Sequence, residues 1–220
     1  MSKLNQSLLK FELKQNFTYD DYFVSKCNYF AFNFIETWPK WEKNILNIHG
    51  EKFSGKSHLS EIFKKKNKAI IINKDEINDS FFSKIRFHEN IILDNLDYVT
   101  DENILYSIFN FTEQYNKYLI INSEKPLNSF NFSLPDLKSR IKNCIFAKIE
   151  KPDDDMIFAL ILKHLSDRQI KIEKKMIEYI SKRIERSYGK ILDFIYKVDQ
   201  FSLINKKSID YKSIKKILEE

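Results

Sequence analysis

Residues 50–57 read Gly-Glu-Lys-Phe-Ser-Gly-Lys-Ser, a spacing of glycines, lysine and hydroxyl that suits a P-loop for a purine-nucleotide polyphosphate. Gly50 lets the chain turn sharply, and Gly55 permits φ > 0 and a close backbone approach to phosphate. The backbone of Gly50, Glu51, Lys52, Phe53, Ser54 and Gly55 would wrap the anion at the mouth of a helix. Lys56 would reach the β- and γ-phosphates, and the Ser57 hydroxyl, followed by His58, would ligate Mg²⁺. The whole chain has three glycines, and two stand at the positions this loop requires.

Such a loop needs an acid at the end of a neighbouring strand. Ile91-Ile92-Leu93-Asp94 supplies one, with Asp94 holding the Mg²⁺ water shell. The next residue is Asn95, which can orient a water but cannot accept its proton, so the isolated chain is expected to hydrolyse ATP slowly. Asp97 could substitute, although its offset points it elsewhere. Asn122-Ser123-Glu124 ends another strand, where Asn122 could sense a γ-phosphate. Arg140 lies in Leu-Pro-Asp-Leu-Lys-Ser-Arg-Ile before the last strand. An arginine on that edge could stabilise transition-state charge on a neighbour's nucleotide, in trans.

The elements that must position these residues follow from hydrophobic pattern. Apolar runs at Asn44–His49, Lys68–Asn73, Asn90–Asp94, Lys117–Asn122 and Cys144–Ile149 read as buried parallel strands. Polar, helical stretches separate them, including a helix expected over Ser57–Lys65. This is an α/β fold with a five-stranded parallel sheet and helices on both faces. After Lys151-Pro152 no strand pattern recurs. Met156, Ile157, Leu160, Ile161 and His164 space as one helix face, Met176, Ile177, Ile180 and Ile184 as a second, and Ile191, Leu192, Ile195 and Val198 as a third. Asp153, Asp154 and Asp155 place negative charge at the first of these helices' positive end. The organisation expected is a polar tail over residues 1–16, a nucleotide-binding subdomain over 17–150, and a helical lid over 151–220.

The bulk composition excludes several classes. The 220 residues hold 43% apolar and 31% charged side chains, with no run long enough for a membrane span and no signal-peptide core. A cytoplasmic protein is expected. Cys27 and Cys144 show neither metal nor redox spacing, and His49, His58, His88 and His164 are scattered. The net charge is +6, but Lys, Ile, Asn and Phe are all plentiful, as an AT-rich coding bias would produce. The charge permits nucleic-acid contact without showing it.

Taken together, these motifs resemble the AAA+ module of the DnaA/Hda family, and most of all its short Hda-type regulators, over nearly the whole chain. The P-loop with His58 resembles the family's loop, departing at Phe53 where a glycine is common. Phe17-Thr18-Tyr19-Asp20 through Asn28 is similar to the segment that holds adenine, which implies Phe23, Val24 and Asn28 near the base of ADP or ATP. Lys125-Pro126 and Leu134-Pro135-Asp136-Leu137-Lys138-Ser139-Arg140 resemble the Hda pattern, making Arg140 the matching arginine finger. The family's lid arginine aligns with Gly189, with Lys190 adjacent and Arg186 one turn earlier. Gly189 costs ~1 kcal/mol inside a helix and so suggests a kink between lid helices.

Two features imply the regulator type. Nothing here resembles DnaA's helix-turn-helix DNA-binding domain. The tail carries Gln6-Ser7-Leu8-Leu9-Lys10-Phe11, similar to the peptide that docks on the β sliding clamp, with Gln6 at a polar subsite and Leu9 and Phe11 in an apolar pocket. The resemblance implies a chain that binds the clamp and DnaA, meets DNA through the clamp, and promotes hydrolysis of DnaA-bound ATP. Self-association into a homo-oligomer is compatible with this, and contact with a membrane is not expected. The alternatives are an autonomous ATPase of the helicase-loader or DnaA type, a nucleotide-stabilised interaction module without catalysis, and direct DNA binding by the lid.

Overall fold

The structure, a computed structural model, describes residues 17–73, 76–77, 81–96, 101–205 and 209–219. Strands β1 (Ile45–His49), β2 (Ile70–Asn73), β3 (Asn90–Asp94), β4 (Tyr118–Ser123) and β5 (Ile145–Lys148) form one sheet in the order β2-β3-β4-β1-β5. Every pairing is parallel, in registers such as Ile48 opposite Asn122 and Leu93 opposite Ile121.

Side chains alternate across a strand, and the core divides accordingly. Ile45, Ile91, Leu93, Leu119 and Ile121 pack on one face beneath α3 (Phe81–Ile85), α4 (Glu102–Gln114) and α5 (Pro135–Lys142). Leu46, Ile48, Ile92, Ile120 and Ala147 pack on the other beneath α1 (Tyr29–Thr37) and α2 (Lys56–Asn67). Burial on both faces explains why the strands read as continuous apolar runs.

Four of the strands begin one or two residues later than their apolar pattern suggests, β2 and β4 for visible reasons. Lys68 closes α2 in a left-handed conformation (φ 50°). Lys117 N–H donates to Thr112 O at 2.9 Å, which finishes the turn after α4.

Beyond β5 come α6 (Asp154–Asp167), α7 (Lys174–Ser181), α8 (Tyr188–Asn205) and α9 (Tyr211–Glu219), around a separate core that includes Ile157, Ile161, Ile177, Ile180 and Ile195. Asp153 caps α6, its Oδ1 accepting from Met156 N–H at 2.8 Å. The structure departs from the expected periodicity in three places. α7 stops at Ser181, so Ile184 lies in the following turn. Gly189 stands in the first turn of α8 and not in a helix interior or a kink, so the interior penalty does not apply. A fourth lid helix, α9, is present, with Ile214 and Ile217 buried and Asp210 accepting from Ser213 N–H at 2.8 Å.

Among the described residues no helix is long and apolar enough to cross a membrane, and no cluster of three or more His, Cys, Asp or Glu side chains could hold an ion. Cys27 and Cys144 are free and buried.

Candidate functional site

β1 delivers the chain to Gly50, where a Cβ would stand 2.8 Å from the Ile149 carbonyl oxygen. The loop then folds over itself, Ser54 N–H donating to Glu51 O at 3.2 Å. It reaches Gly55 at φ +92°, the N-cap of α2. A residue with a Cβ pays roughly 1–2 kcal/mol in that region. The first turn of α2 therefore opens onto the loop with N–H groups that no earlier turn can satisfy, at the positive end of its dipole. Lys56 is buried, and its Nζ donates to Gly50 O at 2.7 Å and Glu51 O at 2.9 Å. Ser54 Oγ is buried with no hydrogen-bond partner. Phe53 takes φ 68° and turns its ring outward, with the Lys52 ammonium 5.2 Å from its centroid.

The carboxyl ends of β3 and β4 bring two more polar groups beside this loop. Asn122 Nδ2 donates to Asp94 Oδ1 and to Ser60 Oγ, both at 2.7 Å. Asn122 Oδ1 is buried and unpartnered. Asp94 Oδ1 also accepts from Asn95 N–H at 3.1 Å, so the carboxylate is held in one orientation. Asn95 itself is exposed at φ 57°. The residues present fit a nucleoside polyphosphate with one divalent ion. Ser54 Oγ is buried without a partner, the α2 amides open onto the loop beside the Lys56 ammonium, and Ser57 and Asp94 are oxygen donors of the kind Mg²⁺ takes.

Residues 17–28 close one side of the loop. The Tyr22 ring would lie 3.2 Å from a Cβ at Gly55. His58 packs against Phe17 and Tyr22 and its Nε2 donates to Thr18 O at 2.7 Å, while burial lowers its pKa. Phe23 is exposed and Val24 half-buried. Asn28 is buried, its Oδ1 accepting from Ser25 N–H and its Nδ2 donating to Phe23 O. Its amide shapes the loop carrying Phe23.

The lid reaches the same place through Tyr188, which sequence reasoning missed. Glu51 Oε1, from the phosphate loop, accepts from Tyr188 N–H at 2.5 Å and so caps α8. The Tyr188 hydroxyl lies 3.2 Å from Cys27 Sγ, and Asp153 Oδ2 accepts from Cys27 N–H at 3.2 Å. Lys163 of α6 pairs with Asp21 at 2.7 Å and holds the Asp21 carboxyl below the usual range. Lys190 is exposed in the first turn of α8, and Arg186 pairs with Asp154 at 2.6 Å within the lid.

No protein-family model matches the sequence. The chromosomal replication initiator protein DnaA of Thermoanaerobacter sp. strain X514 is 23% identical over 246 residues, covering 99% of this chain and 55% of that protein. The chain thus spans about half the length of the curated relatives it matches. Domain III of Thermotoga maritima DnaA superposes with a TM-score of 0.77 at 17% identity, covering 92% of this chain and 95% of that domain. The chain is thus similar to DnaA over nearly its whole length and shares the α/β fold of DnaA domain III. AMPPCP-bound DnaA from Aquifex aeolicus superposes with a TM-score of 0.69 at 18% identity, covering 84% of this chain and 65% of that one.

Within this fold, Arg140 stands apart from the other predicted site residues. It lines a cavity with Asn44, Ile45, Asn116 and Asn143, all at the amino ends of strands, whereas the phosphate loop follows the carboxyl end of β1. Five-residue β1 alone spans ~17 Å, beyond the reach of an arginine side chain, so Arg140 cannot touch its own chain's phosphate loop. Its guanidinium pairs with Glu113 and lies 5.4 Å from the Tyr106 ring centroid. Glu102 accepts from Ser133 N–H, Ser133 Oγ and Leu134 N–H, which ties down the start of α5 and lowers the Glu102 pKa. Glu102, Tyr106 and Glu113 carry no local signature that reveals these contacts. Gln6, Leu9, Phe11 and Asp97 lie outside the described residues.

Proposed function

We propose that the chain is a nucleotide-held regulator of the DnaA type, whose chemistry takes place in a partner's site. ADP or ATP would sit with its phosphates over residues 50–58, held by Lys56 and the α2 amides. Ser57 and, through water, Asp94 would hold Mg²⁺, and Asn122 would face the terminal phosphate. Phe23 and Val24 would flank the base. The AMPPCP-bound DnaA neighbour supports nucleotide binding at this loop. Asn95 offers no proton acceptor, which favours retention of nucleotide over turnover.

The observation that carries the reading is the position of Arg140, at the opposite end of the sheet from its own phosphate loop and partly exposed. An arginine so placed is out of reach of its own chain's phosphate loop, which favours service to another molecule's nucleotide. There its charge would stabilise the transition state of ATP hydrolysis in DnaA. Gln6, Leu9 and Phe11 of the 1–16 tail would tether the chain to the DNA-loaded β clamp, raising its local concentration beside cytoplasmic, nucleoid-bound DnaA. The 17–150 subdomain would present Arg140, and the 151–220 lid would close over the nucleotide. ATP-bound DnaA would fall and further initiation would be restrained.

The test is hydrolysis of DnaA-bound ATP with DNA-loaded clamp. Arg140→Ala should abolish stimulation, while Gln6→Ala should abolish the part of it that the DNA-loaded clamp adds. Unchanged stimulation by the Arg140 variant refutes the reading. Strong clamp-independent turnover by the purified chain instead identifies an autonomous ATPase.

A further inference from the structure

We infer that Glu113 is a displaceable stand-in for the partner's phosphate, occupying Arg140 until a nucleotide-bearing partner docks. This rests on the trans reading of Arg140 above. Three observations lead to it.

First, the backbone that carries Arg140 is fixed by contacts that do not involve its guanidinium. Glu102 ties the amino end of α5 through Ser133 and Leu134. Leu137 and Ile141 bury the face of α5 that packs on the sheet. Any change at Arg140 is therefore a change of side-chain partner. Second, the partner it has now is replaceable. The Arg140 and Glu113 side chains are 27% and 46% exposed. A solvent-screened pair of this kind is worth little, and many contribute nothing measurable. The Tyr106 ring supports the guanidinium face whichever anion takes its edge. Third, there is room for the exchange. A cavity of about 300 Å³ opens at the pair, lined also by Lys43, Asn44, Asn116 and Asn143. With Glu113 swung aside, Lys43 and Arg140 supply two positive charges to this cavity, and three asparagine amides supply neutral donors. A terminal phosphate outcompetes a carboxylate there because it brings more negative charge and more acceptor oxygens.

The exchange predicts a competition. Glu113 lowers the chain's apparent affinity for its partner without altering the chemical step once Arg140 is engaged.

The experiment measures hydrolysis of ATP preloaded on DnaA, titrated with full-length chain. Glu113→Gln should raise the rate at sub-saturating chain by about 2–5-fold, the upper bound set by the worth of an exposed pair. The gain should appear as a lower half-saturating concentration at unchanged maximal rate. Glu113→Asp, which keeps the charge but shortens its reach, should fall between Gln and the parent. Glu113→Gln combined with Arg140→Ala should match Arg140→Ala alone. A Glu113→Gln chain with the parent's thermal midpoint whose half-saturating concentration is unchanged or higher overturns the inference. So does a lower maximal rate, which would make Glu113 a group that orients Arg140 productively. If Arg140→Ala itself keeps full stimulation, the trans reading has failed, and Glu113 has nothing to gate.

Discussion

The contact between Glu51 and the start of α8 makes a quantitative prediction. Tyr188 is buried and its bond to Glu51 part-buried, so its N–H loses its protein acceptor if the Glu51 carboxylate is removed and is only partly compensated by water. A buried donor left unsatisfied costs roughly 1–3 kcal/mol, and loss of an N-cap costs roughly 0.5–2 kcal/mol. These describe the same bond, so Glu51→Ala should destabilise the chain by about 1–2 kcal/mol. Glu51→Gln keeps an acceptor and loses only the charge beside the helix dipole, about 0.3–1 kcal/mol. Urea denaturation gives the global figure. Amide exchange in the first turn of α8 gives the local one and should accelerate by roughly 5–30-fold in the Ala variant. If both variants stay within about 0.3 kcal/mol of the parent and α8 exchange is unaltered, the phosphate loop does not hold the lid.

Three further outcomes are expected. Gly50→Ala forces a Cβ to 2.8 Å from the Ile149 carbonyl oxygen and should cost about 1–3 kcal/mol in chemical denaturation, with weakened binding of a fluorescent ADP analogue. His49, His58 and His164 all have pKa values held below 6.5 by burial, so they are neutral when folded and take up protons on unfolding. Stability from this source is complete above pH 6.5 and declines as pH falls through the lowered values, so thermal midpoints should drop between about pH 7 and pH 5, and less steeply in His58→Gln. Asn95→Asp should raise intrinsic ATP turnover on the order of 10–100-fold, measured as phosphate release, because it restores a proton acceptor in a left-handed position that Asp tolerates.

Much of this architecture was legible because its signals are local. Ile91-Ile92-Leu93-Asp94 announced both a strand and the acid at its end, and Gly50 and Gly55 stood out in a chain with three glycines. The lid helices showed in the spacing of Met156, Ile161 and Ile195. α9 escaped because Tyr211, Ile214 and Ile217 give only a short stripe among lysines, and its burial comes from tertiary packing on α8 and α7. The joint between lid and loop escaped for a different reason. Glu51 and Tyr188 are 137 residues apart, and a backbone N–H taken by a distant carboxylate leaves no residue-type pattern. Glu113 and Arg140 likewise meet only because α4 and α5 lie side by side on one face of the sheet.

The separation of phosphate loop and Arg140 to opposite ends of a parallel sheet gives this molecule a polarity. On the proposed reading one end would accept an arginine and the other donate one, so any contact joining the two ends is heterologous, with a head and a tail. Such contacts do not close into a symmetric pair; they extend, one subunit feeding the next. On the proposed reading, with Asn95 where a base would stand, this chain would be unequal at its two ends: it would activate the subunit it donates to, but an arginine received at its own loop would find no proton acceptor to work with. Added to a row of DnaA-type subunits, it would behave as a terminus, passing hydrolysis in one direction and stopping it in the other.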